Sequence, residues 1–130
     1  MGKLLLAGLG GFIGSVLRYS VSGLVQNLSH TVDFPYGTLA VNFLGCLAIG
    51  FLSQLAETRG LFTAEIRTLV FIGVLGGLTT FSAFSNETMN LWRDGQSFLA
   101  AMNVAAHLVL CLGAVWVAGR WLMNSGDKEA

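Results

Sequence analysis

The stretch GGLTTFSAFSNE, from Gly76 to Glu87, decides the fold because it interrupts an apolar run of membrane-spanning length. It holds two glycines, two threonines, two serines and an asparagine, which a bilayer helix usually avoids. Glycine pairs followed by paired threonines make poor continuous helix. Irregular backbone at membrane depth is tolerated only against protein or a water-filled cavity. The stretch therefore predicts a broken membrane helix, unwound from Gly76 to Thr79.

The composition places this break in a membrane protein. Of the 130 residues, 54% are hydrophobic and only 11% are charged, whereas soluble domains carry about 25% charged residues. A bilayer core is crossed by about 20 apolar residues in a helix. Residues 1–130 are therefore predicted to form one domain with four spans, at about residues 4–25, 37–55, 68–92 and 98–119. The formal net charge is zero, so no nucleic acid is expected as a partner.

Small residues indicate how the spans pack. Gly10 with Gly14, and Gly73 with Gly77, are spaced to let two helix backbones approach closely. Close packing explains most of the 17 glycines without any further role. Four thin helices with so much small-residue surface enclose little volume, so an oligomer is expected.

Polar residues within the spans are the candidate functional residues, because unsatisfied polar groups are costly in a bilayer. Asn42 is either interhelical glue or an amide donor to an anion. Arg18 can reach the interface or draw anions into a vestibule. Glu87 is the acidic residue closest to a span centre. Asn103, His107 and Cys111 are spaced by four and form one stripe of the fourth helix.

The break itself can bind ions of either sign. Carbonyls exposed on one side of an interrupted helix can hold a small cation such as Na⁺, and amides at the start of the next half-helix can face an anion. Phe81 and Phe84 share one face of that half-helix. Their electropositive ring edges can face an anion, although spacing alone favours simple packing.

Three strings together carry a family resemblance. They are GGLTTFSAFSNET (Gly76–Thr88), GGFIGSVLRY (Gly10–Tyr19) and GTLAVNFLG (Gly37–Gly45). With the length and the four spans, they resemble the CrcB/Fluc family of small fluoride channels. The resemblance covers nearly the whole chain, and the third-span motif is its most specific part. Ala83 departs from it, because a threonine is common at that position.

The resemblance implies an all-α fold, with an interrupted third helix, assembled as an antiparallel, dual-topology homodimer in the plasma (inner) membrane. Two fluoride pores and a central structural Na⁺ between the protomers are implied with it. The vestibule residue is Arg18, and the carbonyls of Gly76 and Thr79 would hold Na⁺. The expected pore residues are Asn42, Thr80, Phe81, Ser82, Phe84, Glu87 and His107.

The resemblance makes passive export of cytoplasmic fluoride, which lowers fluoride toxicity, the expected function. Hydroxyl and amide donors can replace the water around a small, strongly hydrated anion. No nucleophile, metal-ligand cluster or phosphate loop is apparent in the sequence, so an enzyme is not expected. The alternatives are a four-span secondary transporter for small cations or drugs, which would need Glu87 as its membrane carboxylate, and a structural subunit of a larger complex.

Overall fold

The computed structural model describes the backbone of residues 1–126 and the side chains of residues 1–123. Every regular element in these residues is a helix. We number five helices in chain order: α1 (Gly2–Leu28), α2 (Tyr36–Arg59), α3 (residues 64–78), α4 (Phe81–Arg93) and α5 (residues 97–126).

Within the residues that the structure describes, four helical segments are long and apolar enough to cross a membrane. They are Gly2–Ser29, Tyr36–Arg59, Ala64–Arg93 and Ser97–Met123. The third segment consists of α3 and α4 in succession. The prediction of an all-α protein with four membrane spans is confirmed, and each helix extends a few residues beyond its predicted apolar run because polar residues continue the helix past it.

Glycines bring α1 and α3 into backbone contact, as their spacing predicted. A Cβ atom added at Gly73 would lie 2.7 Å from the Cα of Gly10. One added at Gly14 would lie 2.9 Å from the Cα of Gly77. Real side chains cannot approach so closely, so the two helices meet where neither has a side chain. The second main contact joins α2 to α5, where Gly50 faces the backbone of Val115.

The predicted start of the break was wrong by three residues. Gly76–Leu78 is helical, and the extended residues are Thr79 (φ −85°, ψ 155°) and Thr80 (φ −152°, ψ 113°). Gly77 stays helical because it is part of the close contact with α1, where its Cβ would lie 2.6 Å from the carbonyl oxygen of Gly11. Glycine is therefore used for helix packing here, and the threonines form the break.

Two segments have wider helical turns than an α-helix. Thr68–Leu75 in α3 and His107–Cys111 in α5 are π-helical. Such turns are rare and occur frequently at functional sites. Both lie beside the break in the third span, and residues of both line the cavity described next.

Candidate functional site

The break is held by the side chain of Asn42, which projects from α2. The Thr80 amide donates to Asn42 Oδ1 at 2.7 Å, and Asn42 Nδ2 donates to the Thr80 carbonyl at 3.0 Å. In a continuous helix the Thr80 amide would bond to the carbonyl of Gly76. The Asn42 amide thus replaces the helical partner of one peptide group and satisfies it at membrane depth.

The two threonines finish one helix and start the next. Thr79 Oγ1 donates to the Leu75 carbonyl at 2.9 Å, at the end of α3. Thr80 Oγ1 accepts from the Ala83 amide at 3.1 Å, which makes Thr80 the N-cap of α4. The first amides of a helix have no helical acceptor and carry partial positive charge. This end of α4 therefore points its amides into the break.

A cavity of about 400 Å³ opens beside the break, and we name it the phenylalanine cavity. Leu75, Leu108 and Leu112 give it largely apolar walls. It brings together most of the predicted site residues, which are Asn42, Gly76, Thr79, Thr80, Phe81, Phe84 and His107.

Three rings form a row along the phenylalanine cavity. The ring centroids of Phe81 and Phe84 are 5.3 Å apart, and those of Phe84 and His107 are 4.4 Å apart. The Phe81 side chain is 78% exposed in the single chain, whereas His107 is 7% exposed. The row therefore runs from the interior of the helix bundle to its open surface.

The hydrogen bond of His107 fixes which ring nitrogen carries the proton. His107 Nδ1 lies 3.0 Å from the carbonyl oxygen of Asn103. A carbonyl only accepts, so Nδ1 is the donor, and in the neutral ring Nε2 is an acceptor. Nε2 is buried and has no hydrogen-bond partner within the described residues. The neutral His107 ring therefore presents a lone pair from Nε2, not an N–H group.

The predicted fourth-span stripe divides between two surroundings. His107 and Cys111 line the phenylalanine cavity. Asn103 is fully buried and donates from Nδ2 to Thr88 Oγ1 at 2.9 Å. Asn103 thus ties α5 to α4 near the cavity instead of lining it.

A second cavity of about 500 Å³ lies on the other side of Thr80, and we name it the arginine cavity. Arg18, Thr38, Thr80 and Glu87 are among its lining residues. Thr38 Oγ1 donates to Glu87 Oε1 at 2.6 Å, while Glu87 Oε2 is buried without a partner in the part of the chain that the structure describes. Glu87 is therefore separated from the phenylalanine rings, and Thr80 lines both cavities.

Glu87 also lines a third cavity of about 620 Å³ beside the α1–α2 and α4–α5 connections. Asp33, Asp94 and Gln96 line this cavity with it. The arginine cavity thus adjoins this polar cavity at Glu87, which lines both.

Ser82 lies apart from these cavities. Its side chain is exposed, and Ser82 Oγ is 3.2 Å from Thr80 Oγ1. It is not among the lining residues of the three cavities described. Its link to the site runs through the Thr80 hydroxyl.

The carbonyl oxygens of Gly76 and Thr79 are the kind of ligand that a hard cation such as Na⁺ prefers. The Gly76 carbonyl has lost its regular helical donor, because the Thr80 amide bonds to Asn42. The Thr79 carbonyl accepts a long bond of 3.5 Å from Arg18 Nη1. Oxygen ligands of broken membrane helices suit Na⁺. Arg18 and a cation would compete for the Thr79 oxygen.

Three features of the site could not be found from the sequence. Thr38 is 49 residues from its partner Glu87. Thr88 is 15 residues from Asn103. Cys46 and Cys111, which line the same cavity, also come from distant parts of the chain. The polarity of these residues was visible, but no spacing rule connects residues on different helices.

These features define a multi-pass membrane protein whose third span is broken between two cavities. The chain belongs to the CrcB-like family (Camphor Resistance), whose model matches residues 5–119. It is 53% identical over 112 residues to the fluoride-specific ion channel FluC of Opitutus terrae, covering 84% of this chain and 83% of that one. It is 48% identical over 113 residues to FluC of Elusimicrobium minutum, covering 85% and 86%.

A third relative shows the same likeness. The chain is 45% identical over 117 residues to fluoride-specific ion channel FluC 1 of Methanosarcina acetivorans, covering 90% of this chain and 88% of that one. These relatives are named as channels and not as enzymes, and the comparisons do not support the alternative of a four-span secondary transporter.

Proposed function

We propose that the protein is a fluoride-selective channel that lets cytoplasmic fluoride leave the cell passively and so reduces its toxicity. The observation that carries this proposal is the break at Thr80, which is held open by Asn42 and lines a cavity on either side. The names of the relatives supply the identity of the ion.

The groups at the break suit a small, strongly hydrated anion. One N–H of the Asn42 amide is used by Thr80, which leaves the second for an ion in the cavity. The first amides of α4 add donors with partial positive charge. The edges of Phe81 and Phe84 supply electropositive C–H groups in place of water. Together these groups can substitute for the hydration shell at a fixed, narrow distance.

His107 lines the cavity, but in this proposal it does not bind fluoride directly. Since Nε2 of the neutral ring is an acceptor, it repels an anion instead of binding it. The ring lies against Phe84 at a centroid distance of 4.4 Å. We therefore assign His107 the task of positioning Phe84, with Asn103 fixing the imidazole.

The open side of the single chain supports an antiparallel homodimer with two pores. Phe81 and Ser82 are exposed next to the break. Polar backbone and hydroxyl groups at that depth require protein or water beside them. A second copy of this chain, inserted in the opposite orientation, would cover this surface and complete one pore for each protomer.

A structural Na⁺ would join the two protomers at the break. The carbonyls of Gly76 and Thr79 would hold it, and the ion would supply a fixed positive charge between two broken helices. Replacing Na⁺ with a bulky organic cation should lower dimer stability in detergent. Unchanged dimer stability in Na⁺-free buffer would contradict this part of the proposal.

Fluoride efflux from liposomes tests the function directly. Purified protein is reconstituted in vesicles loaded with potassium fluoride, and external fluoride is followed with a fluoride electrode. A conductive pathway requires a compensating K⁺ current, so efflux should start only when valinomycin is added. Protein-free vesicles are one control. Vesicles loaded with potassium chloride, with chloride efflux followed by a chloride electrode, are the other. Absence of valinomycin-dependent fluoride efflux would sink the proposal.

A further inference from the structure

The phenylalanine cavity contains a pair of thiols. Cys46 on α2 and Cys111 on α5 both line it. Each lies one helical turn before the point where Gly50 meets the backbone of Val115, so the two thiols lie at the same level where α2 packs against α5. Both are half-buried and free. They are the only two cysteines of the sequence. All the thiol chemistry of this protein therefore takes place at one point on the cavity wall.

The surroundings limit how many ligands such a site can offer. Within residues 1–126, no three His, Cys, Asp or Glu side chains are grouped closely enough to hold a metal ion. Zn²⁺ takes four protein ligands in a structural site and three in a catalytic one. A pair of thiolates instead selects a soft ion that is satisfied by two sulfur ligands.

The charge of the complex decides among the soft ions. The site is lined by apolar side chains such as Ile49, Leu75 and Leu112, and an unpaired charge is costly in such a place. Two thiolates with a monovalent ion such as Ag⁺ or Cu⁺ leave one negative charge. Two thiolates with a divalent ion leave none. The neutral complex is the one that an apolar cavity accepts.

We propose that Cys46 and Cys111 form a two-coordinate site for a soft divalent cation, Hg²⁺, within the phenylalanine cavity. Each Sγ–H bond breaks and each sulfur forms one bond to the ion. Two protons pass to solvent and no electrons are transferred, so charge and atoms balance. The bound ion links α2 to α5.

The consequence for ion flow rests on the proposed function. Cys111 lies one helical turn beyond His107, which stacks on Phe84. An ion held between the thiols occupies the cavity next to this row of rings and fixes the two helices that carry Asn42 and His107. Fluoride efflux should fall at least tenfold when one Hg²⁺ is bound per chain.

The test compares the purified full-length protein with Cys46→Ser, Cys111→Ser and the double variant. Each is treated with a small excess of Hg²⁺, passed through a desalting column and assayed for mercury per chain. We expect one ion per chain in the native protein and none in the double variant. Removing half of the ion should require at least tenfold more 2-mercaptoethanol for the native protein than for either single variant, because two linked thiolates act as a chelate.

Three outcomes would overturn the inference: two ions per chain in the native protein, mercury retained by the double variant, or equal release from native and single variants. If a serine variant fails to fold, native protein with its thiols blocked by methyl methanethiosulfonate replaces it, and mercury bound by that protein would count equally against the site. Binding and efflux are measured separately. Bound mercury without any fluoride efflux, with or without the ion, would leave the thiol site standing and remove the proposed channel function.

Discussion

The two halves of the third span are held in place by opposite means. α3 packs against α1 through backbone contacts at Gly10 and Gly73, where no side chain intervenes. α4 is held by side-chain hydrogen bonds, from Asn42 to Thr80 and from Asn103 to Thr88. The first half thus has no room for an added atom where it meets α1, whereas the second half depends on polar atoms that cannot be removed. A membrane helix can be interrupted without unfolding when each of its two halves has its own contacts with the rest of the protein.

The largest expected effect comes from adding one methyl group to the packed half. Gly10→Ala would place a Cβ 2.8 Å from the Cα of Gly73 and closer still to the carbonyl of Leu69. Neither backbone atom can yield without moving a helix, so we expect a loss of about 3 kcal/mol in unfolding free energy, at the upper end for overpacking. Thermal unfolding and size exclusion in detergent measure this loss.

Gly8→Ala is the matched control, because a Cβ at Gly8 meets nothing within 4 Å. Alanine also favours the helix by about 1 kcal/mol over glycine. The control should be as stable as the native protein or slightly more so. If Gly10→Ala were equally stable, the backbone contact between α1 and α3 would not be what anchors this half of the span.

The second effect comes from removing the amide that holds the break. Asn42→Ala deprives the Thr80 amide and carbonyl of their partner. Leaving the amide and the carbonyl unpaired costs about 1–2 kcal/mol each. We expect this cost to lower fluoride efflux by at least about thirtyfold and to reduce thermal stability. Asn86→Ala, at an exposed position of α4, is the control and should conduct normally. Native efflux from Asn42→Ala vesicles would show that the break holds itself open.

The difference between the two halves of the third span explains how much of the fold could be predicted from the sequence. Hydropathy and length are local properties, so the four spans were evident from the sequence. The presence of a break was evident as well, because threonine and glycine cluster in one apolar run. The break begins three residues later than the sequence predicts. Whether Gly77 unwinds or packs depends on its contact with α1, not on its neighbours in sequence.

The candidate site was predictable as a set of residues but not as an arrangement. Asn42 could be read as glue or as an anion donor, and only its two bonds to Thr80, 38 residues away, show that it holds the break. The family resemblance groups Glu87 with the phenylalanines as pore residues, yet Thr38 binds Glu87 in the other cavity. Contacts between helices decide these roles, and one sequence contains no record of them.

A third, smaller effect is expected where a ring is exposed beside the break. Phe81→Ile keeps an apolar side chain of similar bulk but removes the electropositive ring edge. Such an edge contributes about 1 kcal/mol, so efflux should fall by about fivefold to tenfold. Phe81 is 78% exposed in the single chain, and isoleucine keeps an apolar side chain on the surface that the proposed second copy covers, so stability in detergent should not change.

Phe98→Ile is its control, since Phe98 has nearly the same exposure at 76% but lies outside the described cavities. It should match the native protein in both efflux and stability. Native efflux from Phe81→Ile vesicles would mean that the ring serves packing only. A joint loss of efflux and stability would instead place Phe81 among the anchoring residues.

The smallest effect is expected at Ser82, which touches the site only through the hydroxyl of Thr80, 3.2 Å away. An exposed neutral hydrogen bond contributes about 0.5 kcal/mol, so Ser82→Ala should change efflux by no more than about twofold. Thr80→Ser keeps the N-cap hydroxyl and should behave in the same way, whereas Thr80→Val loses the cap to the Ala83 amide and should lower efflux further. If Ser82→Ala fell as far as Asn42→Ala, fluoride would have to pass along the exposed face of α4 instead of through the two cavities that meet at Thr80.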